Sequence, residues 1–194
     1  RLGKVIHPNE HVSTYQYNML GNVIATTTPD AGTIRCAYTP QGQLLKRITA
    51  NGEEVNYDYD FERLKSVAYA YHPQDSILYS YGDSLATTYQ KGRLLKVCYA
   101  MGSEAYTYGS MGEVVGTIKS IVIDSITGKV HTYSSASEFD SWGRVQKMTY
   151  PDGEVVNYIY YPNGQLSSMV GEKDGIVYPY LAEVGYSESG QIAY

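Results

Sequence analysis

One short stretch, HPNEH, holds the arrangement of residues best suited to binding a metal ion. His7, Glu10 and His11 lie three and four residues apart, so that on a helix they would face a single ion. Pro8 and Asn9, however, stand where the repeat described below predicts a turn, which places the histidines on either side of a hairpin tip. We therefore predict no metal site and no cofactor.

Two other stretches hold residues capable of acid–base or nucleophilic chemistry. Asp58 and Asp60 share one face of a predicted strand, but Asp60 occupies a turn position that other repeats also fill with a short polar residue. The segment GYSESG around Ser187 lacks the last glycine of the G-x-S-x-G motif, and no strand-turn-helix pattern follows it. The remaining histidines, His72 and His131, stand alone and are expected to face solvent. We predict no catalytic, cofactor-binding or metal-binding residue and a chain that is not an enzyme.

The composition favours β-structure and argues against several classes of partner. The 194 residues include 22 tyrosines, two phenylalanines and one tryptophan, and tyrosine is the aromatic residue that best tolerates a half-exposed strand. The net charge of −5 and the lack of a basic cluster argue against nucleic acid. Cys36 and Cys98 are expected to be free thiols, in preference to a single disulfide.

The hydropathy pattern predicts no membrane-spanning segment, because no apolar run approaches the roughly 20 residues that a membrane helix needs. The sequence begins at Arg1 without a hydrophobic leader. We therefore expect an excised or processed piece of a longer protein.

A tyrosine-rich phrase recurs along the chain and sets its organisation. Each copy ends in a glycine or, once, in an arginine, and the steps between these marks are 21, 21, 29, 20, 31, 21 and 26 residues. Such a period is typical of arrays in which one unit stacks on the next. The marks are Gly21, Gly42, Arg63, Gly92, Gly112, Gly143, Gly164 and Gly190.

Each unit is predicted to form strand, turn, strand, turn. A second turn signal such as PDG or NG follows the mark by about ten residues. Pairs of tyrosines two residues apart precede the first turn, and they would align across neighbouring strands as a ladder. The short polar residue after each pair is predicted to accept backbone N–H groups within the turn; these residues are Asn18, Thr39, Asp60, Asp140 and Ser187.

Three stretches depart from the period. Turn signals at 72–76 and 82–84 predict an additional hairpin, and a late turn at 127–129 predicts two strands of about ten residues. Pro179 favours an edge strand or a loop. We predict about sixteen strands in one domain over residues 1–194, with about eight units of about 21 residues and longer insertions near 65–90, 113–139 and 172–186.

These units resemble the YD-repeat, or RHS-repeat, family, in which YxYDxxGRL is followed by a P-D-G turn. The resemblance covers essentially the whole chain and is carried by YTPQGQL at 38–44, YDYDFERL at 57–64, FDSWGRV at 139–145 and MTYPDGEVVNYIYYPNGQL at 148–166. In that family consecutive hairpins join into a long twisted sheet that spirals into a hollow shell. The resemblance implies an all-β fold, an array of consecutive antiparallel hairpins that forms one curved sheet, an arc of such a shell.

The same resemblance implies a function. In secreted bacterial toxins of the family the shell encloses a C-terminal toxic domain, so we expect a non-catalytic wall segment of a large secreted or cell-surface bacterial protein. Its partners would be the flanking repeats and the C-terminal domain of the same polypeptide, and its edge strands would promote self-association. The family's self-cleaving motif contains Asp-Pro, which is absent from this sequence.

Two other interpretations remain open. Tyrosine rings stack on sugars, so the chain could be a carbohydrate-binding or adhesion module of the cell surface or cell wall. Choline-binding repeats of similar length use many tryptophans, however, whereas Trp142 is alone here. Two units also have the size of a propeller blade, but the marks show no alternation of long and short steps, which disfavours a propeller.

Overall fold

The computed structural model describes residues 1–8, 11–86 and 89–193, and over these residues the chain is almost entirely β-structure. The described part contains sixteen strands that form one open sheet in chain order, each strand hydrogen-bonded to the next. The predicted all-β array of consecutive antiparallel hairpins is confirmed. The strands are β1 Lys4–Ile6, β2 Val12–Tyr17, β3 Val23–Thr28, β4 Gly32–Tyr38, β5 Leu44–Ile48, β6 Glu54–Asp60, β7 Arg63–Tyr69, β8 Ile77–Tyr81, β9 Leu94–Tyr99, β10 Gly102–Tyr108, β11 Val114–Asp124, β12 Lys129–Phe139, β13 Val145–Thr149, β14 Val155–Tyr160, β15 Leu166–Lys173 and β16 Ile176–Leu181, with a short 3₁₀ helix at Pro73–Asp75.

The chain divides into two compact units. One comprises Arg1–Ser80 with Val97–Ala100, and the other comprises Tyr81–Lys96 with Met101–Tyr194. The same hairpin geometry is found within each of them.

Six of the eight first turns share one geometry, seen clearly between β12 and β13. The N–H of Asp140 donates to the carbonyl of Arg144 at 2.9 Å, and the N–H of Gly143 donates to the carbonyl of Asp140 at 3.0 Å. Gly143 has φ +76°, a left-handed conformation that glycine adopts without steric cost. This is a three-residue hairpin loop with a glycine bulge, and the register of the two strands shifts next to it.

Short polar side chains complete most of these turns as predicted. The N–H of Arg144 donates to Oδ1 of Asp140, and the equivalent bond reaches Asn18, Thr39 and Ser187 from the residue four positions later. The turn after Asp60 differs, because β6 and β7 are joined by only two residues. The Asp60 carboxylate forms an ion pair with Arg63 at 2.5 Å. Its predicted role as an acceptor of backbone N–H groups stays a prediction.

The additional hairpin predicted between the marks at 63 and 92 does not form. Two strands, β7 and β8, occupy this stretch, as in the other units, and the 3₁₀ helix joins them. The second signal, at 82–84, begins a loop because the Asp83 carboxylate accepts the N–H of Leu85. The described residues of this loop contain no strand, only a bridge between Gly82 and Lys91.

The other two departures follow the prediction. The late turn at 127–129 joins β11 and β12, which are eleven residues long each. Pro179 lies in β16, the last strand in the order, where a missing N–H costs the sheet least.

Few side chains are fully buried in this sheet. Among the described residues the buried hydrophobic side chains are those of Val55, Val67, Val156 and Val184. The accessible surface is 12947 Å², whereas a compact monomer of this mass exposes about 9,200 Å². Hydrogen bonding and side-chain contacts along the sheet, more than a closed core, therefore hold the strands together.

The bulge geometry predicts the effect of replacing Gly143 with alanine. No atom lies within 4 Å of the added Cβ, so the cost comes from the left-handed backbone alone. We expect Gly143→Ala to lower the free energy of unfolding by about 1–2 kcal/mol in urea titrations. Gly3→Ala also meets no neighbouring atom and has no positive φ, so it serves as the control. Equal stability of the two variants would contradict the turn assignment.

Candidate functional site

The histidines at the start of the chain flank a turn, as predicted. The N–H of His7 donates to the carbonyl of His11 at 2.9 Å, and Nε2 of His7 lies 3.0 Å from Oγ of Ser13. Asn9 and Glu10 lie outside the described residues. Within the part of the chain that the structure describes, no three histidine, cysteine or carboxylate side chains cluster in a way that could hold a metal ion.

The two aspartates each pair with a basic side chain. Asp58 lies 3.4 Å from Nζ of Lys65, and Asp60 pairs with Arg63, so that each carboxylate is engaged with its own cation on β7. About half or more of each aspartate side chain is exposed. Both therefore act as exposed ion-pair partners of the hairpin.

The remaining candidates occupy structural positions. Ser187 accepts the N–H of Gln191 within a bulged turn, which is a turn role and not that of a nucleophile. His72 is exposed at the N-cap position of the 3₁₀ helix, where its main-chain carbonyl, and not its ring, accepts the N–H of Asp75. The exposed ring of His131 lies 6.3 Å from that of Tyr133. Both cysteines are free, as predicted.

The side chains that make the most regular recurring contact are the tyrosines that stand four residues before five of the seven marker glycines. The hydroxyl of Tyr160 donates to the carbonyl of Val145 at 2.7 Å, which joins the end of β14 to the start of β13. The last regular pair of that ladder is Lys147–Asn157, so Val145 lies beyond it. The same bond joins Tyr17 to Leu2, Tyr38 to Val23, Tyr108 to Leu94 and Tyr186 to Leu166.

These tyrosines also explain the alternation of the YxY phrase. In each of the four copies of the phrase both tyrosines are half-buried, and the residue between them is exposed; the copies are at 15–17, 57–59, 106–108 and 158–160. Burial raises the pKa of Tyr57 and Tyr158, which keeps both phenols protonated at neutral pH. The recurring contact is thus a hydroxyl-to-carbonyl bond, in addition to the predicted alignment of rings.

We call this bond from a tyrosine hydroxyl to a main-chain carbonyl the tyrosine joint. An arginine that follows the marker glycine of the preceding unit contacts the ring of the same tyrosine. The guanidinium of Arg93 lies 5.2 Å from the centre of the Tyr108 ring and donates to the carbonyl of Gly112 at 2.7 Å. Arg144 lies 4.3 Å from the centre of the Tyr160 ring. This contact between an arginine and a tyrosine ring was not predicted from the sequence, although the dipeptide G-R at 92–93 and at 143–144 could have indicated it.

One surface of the sheet departs from the repeated pattern. Tyr178 and Tyr180 on β16 reach across β15 and donate their hydroxyls to the same oxygen, Oε1 of Glu154, beside β14. Their rings meet edge to face with centres 5.3 Å apart. The hydrogen bonds raise the pKa of Tyr178 and lower that of Glu154, so the carboxylate is charged and the phenols are neutral at neutral pH.

This crossing requires a glycine on the strand in between. A Cβ on Gly171 would lie 2.7 Å from Cε2 of Tyr178 and 2.9 Å from Cε2 of Tyr180. Beside the rings opens a groove of about 600 Å³. We call it the edge groove; it is lined by Tyr150, Glu154, Val156, Met169, Tyr180 and Leu181.

The hydroxyl bond predicts the effect of Tyr160→Phe. The substitution keeps the ring under Arg144 but removes the donor to the Val145 carbonyl. We expect the free energy of unfolding to fall by about 1 kcal/mol in urea titrations. Tyr133→Phe, on an exposed side chain of β12, makes the same chemical change and should leave stability unchanged. A loss as large at Tyr133 would show that the bond at Tyr160 contributes nothing specific.

Comparison with known proteins identifies solved structures with a similar fold, but no matching family model and no matching curated protein. No protein-family model matches the chain, and no curated protein matches it.

No helix in the described residues is long and apolar enough to span a membrane.

Several solved toxin structures share the fold. The chain matches the Photorhabdus luminescens Tc holotoxin pore, in a form with a mutated TccC3, with a TM-score of 0.80 and 20% identity over 93% of its length. It matches the crystal structure of TcdB2-TccC3 with a TM-score of 0.81 and 21% identity over 96% of its length. In both cases it spans 10% of the other chain. The chain therefore shares its hairpin-array fold with these Tc toxin structures, in agreement with its resemblance to YD-repeat proteins.

Proposed function

We propose that this chain is a non-catalytic wall segment of a large secreted bacterial YD-repeat protein. In that role its sheet continues into flanking repeats of the same polypeptide, and the complete wall encloses or presents a C-terminal toxin or effector domain. The structural likeness to Tc toxins supports the proposal, because the chain covers only about a tenth of the similar chains. The enclosed domain and the secreted location come from the family resemblance.

The observation that carries the proposal is the bridge between Tyr186 and Ile192. In each bulged hairpin the residue four positions before the glycine pairs with the residue two positions after it, as Tyr160 does with Leu166. Tyr186 and Ile192 stand in this relation to Gly190. They form the first pair of a further ladder, along which a following repeat would extend the sheet past β16.

The opposite end of the array shows the same continuity. Arg1 and Leu2 occupy the positions that Arg144 and Val145 hold one unit before a tyrosine joint. Nη1 of Arg1 donates to the carbonyl of Asn18, and the hydroxyl of Tyr17 donates to the carbonyl of Leu2. The contact between units is therefore complete at the first two residues. β1 is the first strand of the sheet, and its outer edge is where a preceding strand of the proposed wall would pair.

A sheet with two open edges should pair with other strands. We expect the isolated chain to self-associate, so that its average mass in light scattering rises with concentration. Val177→Lys should weaken this association, because it places a charge on the exposed edge strand β16. Ile118→Lys also places a lysine at an exposed aliphatic position, but Ile118 lies on β11 between two paired strands, so this variant should have no effect. A monomer at all concentrations would count against edge pairing.

The wall function itself is tested in the full-length polypeptide. Val177→Lys should weaken the junction between β16 and the following repeat, so that protease removes the C-terminal domain faster than in the unmodified protein. Ile118→Lys should leave the rate of proteolysis unchanged, because Ile118 is paired on both sides within the sheet. If Val177→Lys protects the C-terminal domain as well as the unmodified protein does, this segment does not contribute to an enclosing wall.

A further inference from the structure

We propose that the edge groove is a binding site for the pyranose ring of a neutral sugar. This inference goes beyond the wall function, since enclosing a domain does not require the segment to bind a ligand. The groove lies between β13 and β16, within one compact unit, and its volume of about 600 Å³ is enough for a disaccharide.

The lining of the groove combines an apolar floor with aromatic sides. Val156 is buried, with 3% of its surface exposed, and Met169 is half-buried beside it. Tyr150 and Tyr180 are 36% and 55% exposed. A pyranose ring presents C–H groups on its faces, which pack against aromatic rings, and a tyrosine ring adds a hydroxyl that can bind the sugar's own hydroxyls.

Glu154 supplies the polar end of the site. Its pKa is lowered, most by hydrogen bonds from Tyr178 and Tyr180, so it is an anion at neutral pH. A carboxylate accepts strong hydrogen bonds from hydroxyl groups such as those on adjacent carbons of a sugar. The nearby Asp152 carboxylate is paired with Lys173 at 2.5 Å. The charge of Glu154 disfavours acidic sugars, so the site should select neutral ones.

The site is formed before a ligand arrives. The rings of Tyr178 and Tyr180 meet at 81°, and both hydroxyls are fixed on one carboxylate oxygen. Gly171 leaves the space in which the two rings lie across β15. A rigid aromatic surface loses little entropy on binding, which increases the affinity obtained from a few contacts.

The edge groove differs from the rest of the repeat in the use of its tyrosines. In the regular units the tyrosine hydroxyl donates to a main-chain carbonyl and the ring is half-buried, as at Tyr160. Tyr180 instead exposes more than half of its surface beside a carboxylate. Its side chain reaches toward β14, away from the outer edge of β16, so a following repeat can pair with that edge and leave the groove open.

Methionine methyl groups give a direct test of binding. In ¹³C-methyl NMR of the whole chain, titration with the disaccharides cellobiose, lactose and chitobiose should shift the Met169 signal. We expect saturation with a Kd of about 1–10 mM for at least one of the three. The signal of Met19, which is 99% exposed in the turn between β2 and β3, should stay unchanged. A digalacturonate should bind at least about tenfold more weakly because of Glu154.

Variants separate sugar binding from the structural role of the rings. Tyr180→Ala should weaken binding by about tenfold or more, and Glu154→Gln should remove the preference against digalacturonate. Tyr133→Ala removes an exposed ring on β12 and should leave the affinity unchanged. Tyr178→Phe keeps the ring, so the Met169 shift should persist.

Three results would overturn the proposal. One is the absence of any Met169 shift with all three neutral disaccharides at about 100 mM, well above the expected Kd. Another is an equal shift in the Tyr180→Ala variant. The third is equal binding of the neutral and acidic disaccharides, which would contradict the role given to Glu154.

Discussion

The glycine bulge that recurs at the first turn of most units imposes the constraint on which the rest of the sheet depends. A glycine bulge lets a three-residue loop reverse the chain, but it interrupts the regular ladder and shifts the register of the strands. A carbonyl near the interruption then needs a donor from outside the ladder. The tyrosine four residues before the next glycine supplies it, as at Tyr160 and Val145. The tyrosine phrase recurs because the interruption recurs.

The same bond compensates for the small number of buried side chains. A hydrogen bond of this kind contributes about 1 kcal/mol, and a cation–π contact contributes about 0.5–1 kcal/mol at an exposed site. Each is small, but in the described part of the chain the contact occurs at five tyrosines, and an arginine reinforces it at three of them. Stability in such an array grows with the number of units, so long sheets are favoured over short ones.

Sequence reasoning predicted the strands well because its signals are local. Glycine, proline and short polar residues determine a turn within four or five positions, and the period follows from their spacing. The stretch after Arg63 was misjudged because residues between two turn signals can form either a strand or a loop, and Asp83 favours the loop. At Asp60 the loop has only two residues, and the aspartate pairs with Arg63, which stands in the place of the marker glycine.

The tyrosine joint and the edge groove could not be derived in this way, since both depend on register between strands. Tyr160 and Val145 are 15 residues apart, and Glu154 and Tyr180 are 26 apart with another strand between them. Only the alignment of Val156 with Gly171 and of Gly171 with Tyr178 places those rings beside the carboxylate. Regular units repeat the same contacts, so a distinct binding surface can form only where the pattern is broken. The irregular stretch from 172 to 186 meets that condition, because it brings two additional tyrosines over a glycine and leaves one of them exposed.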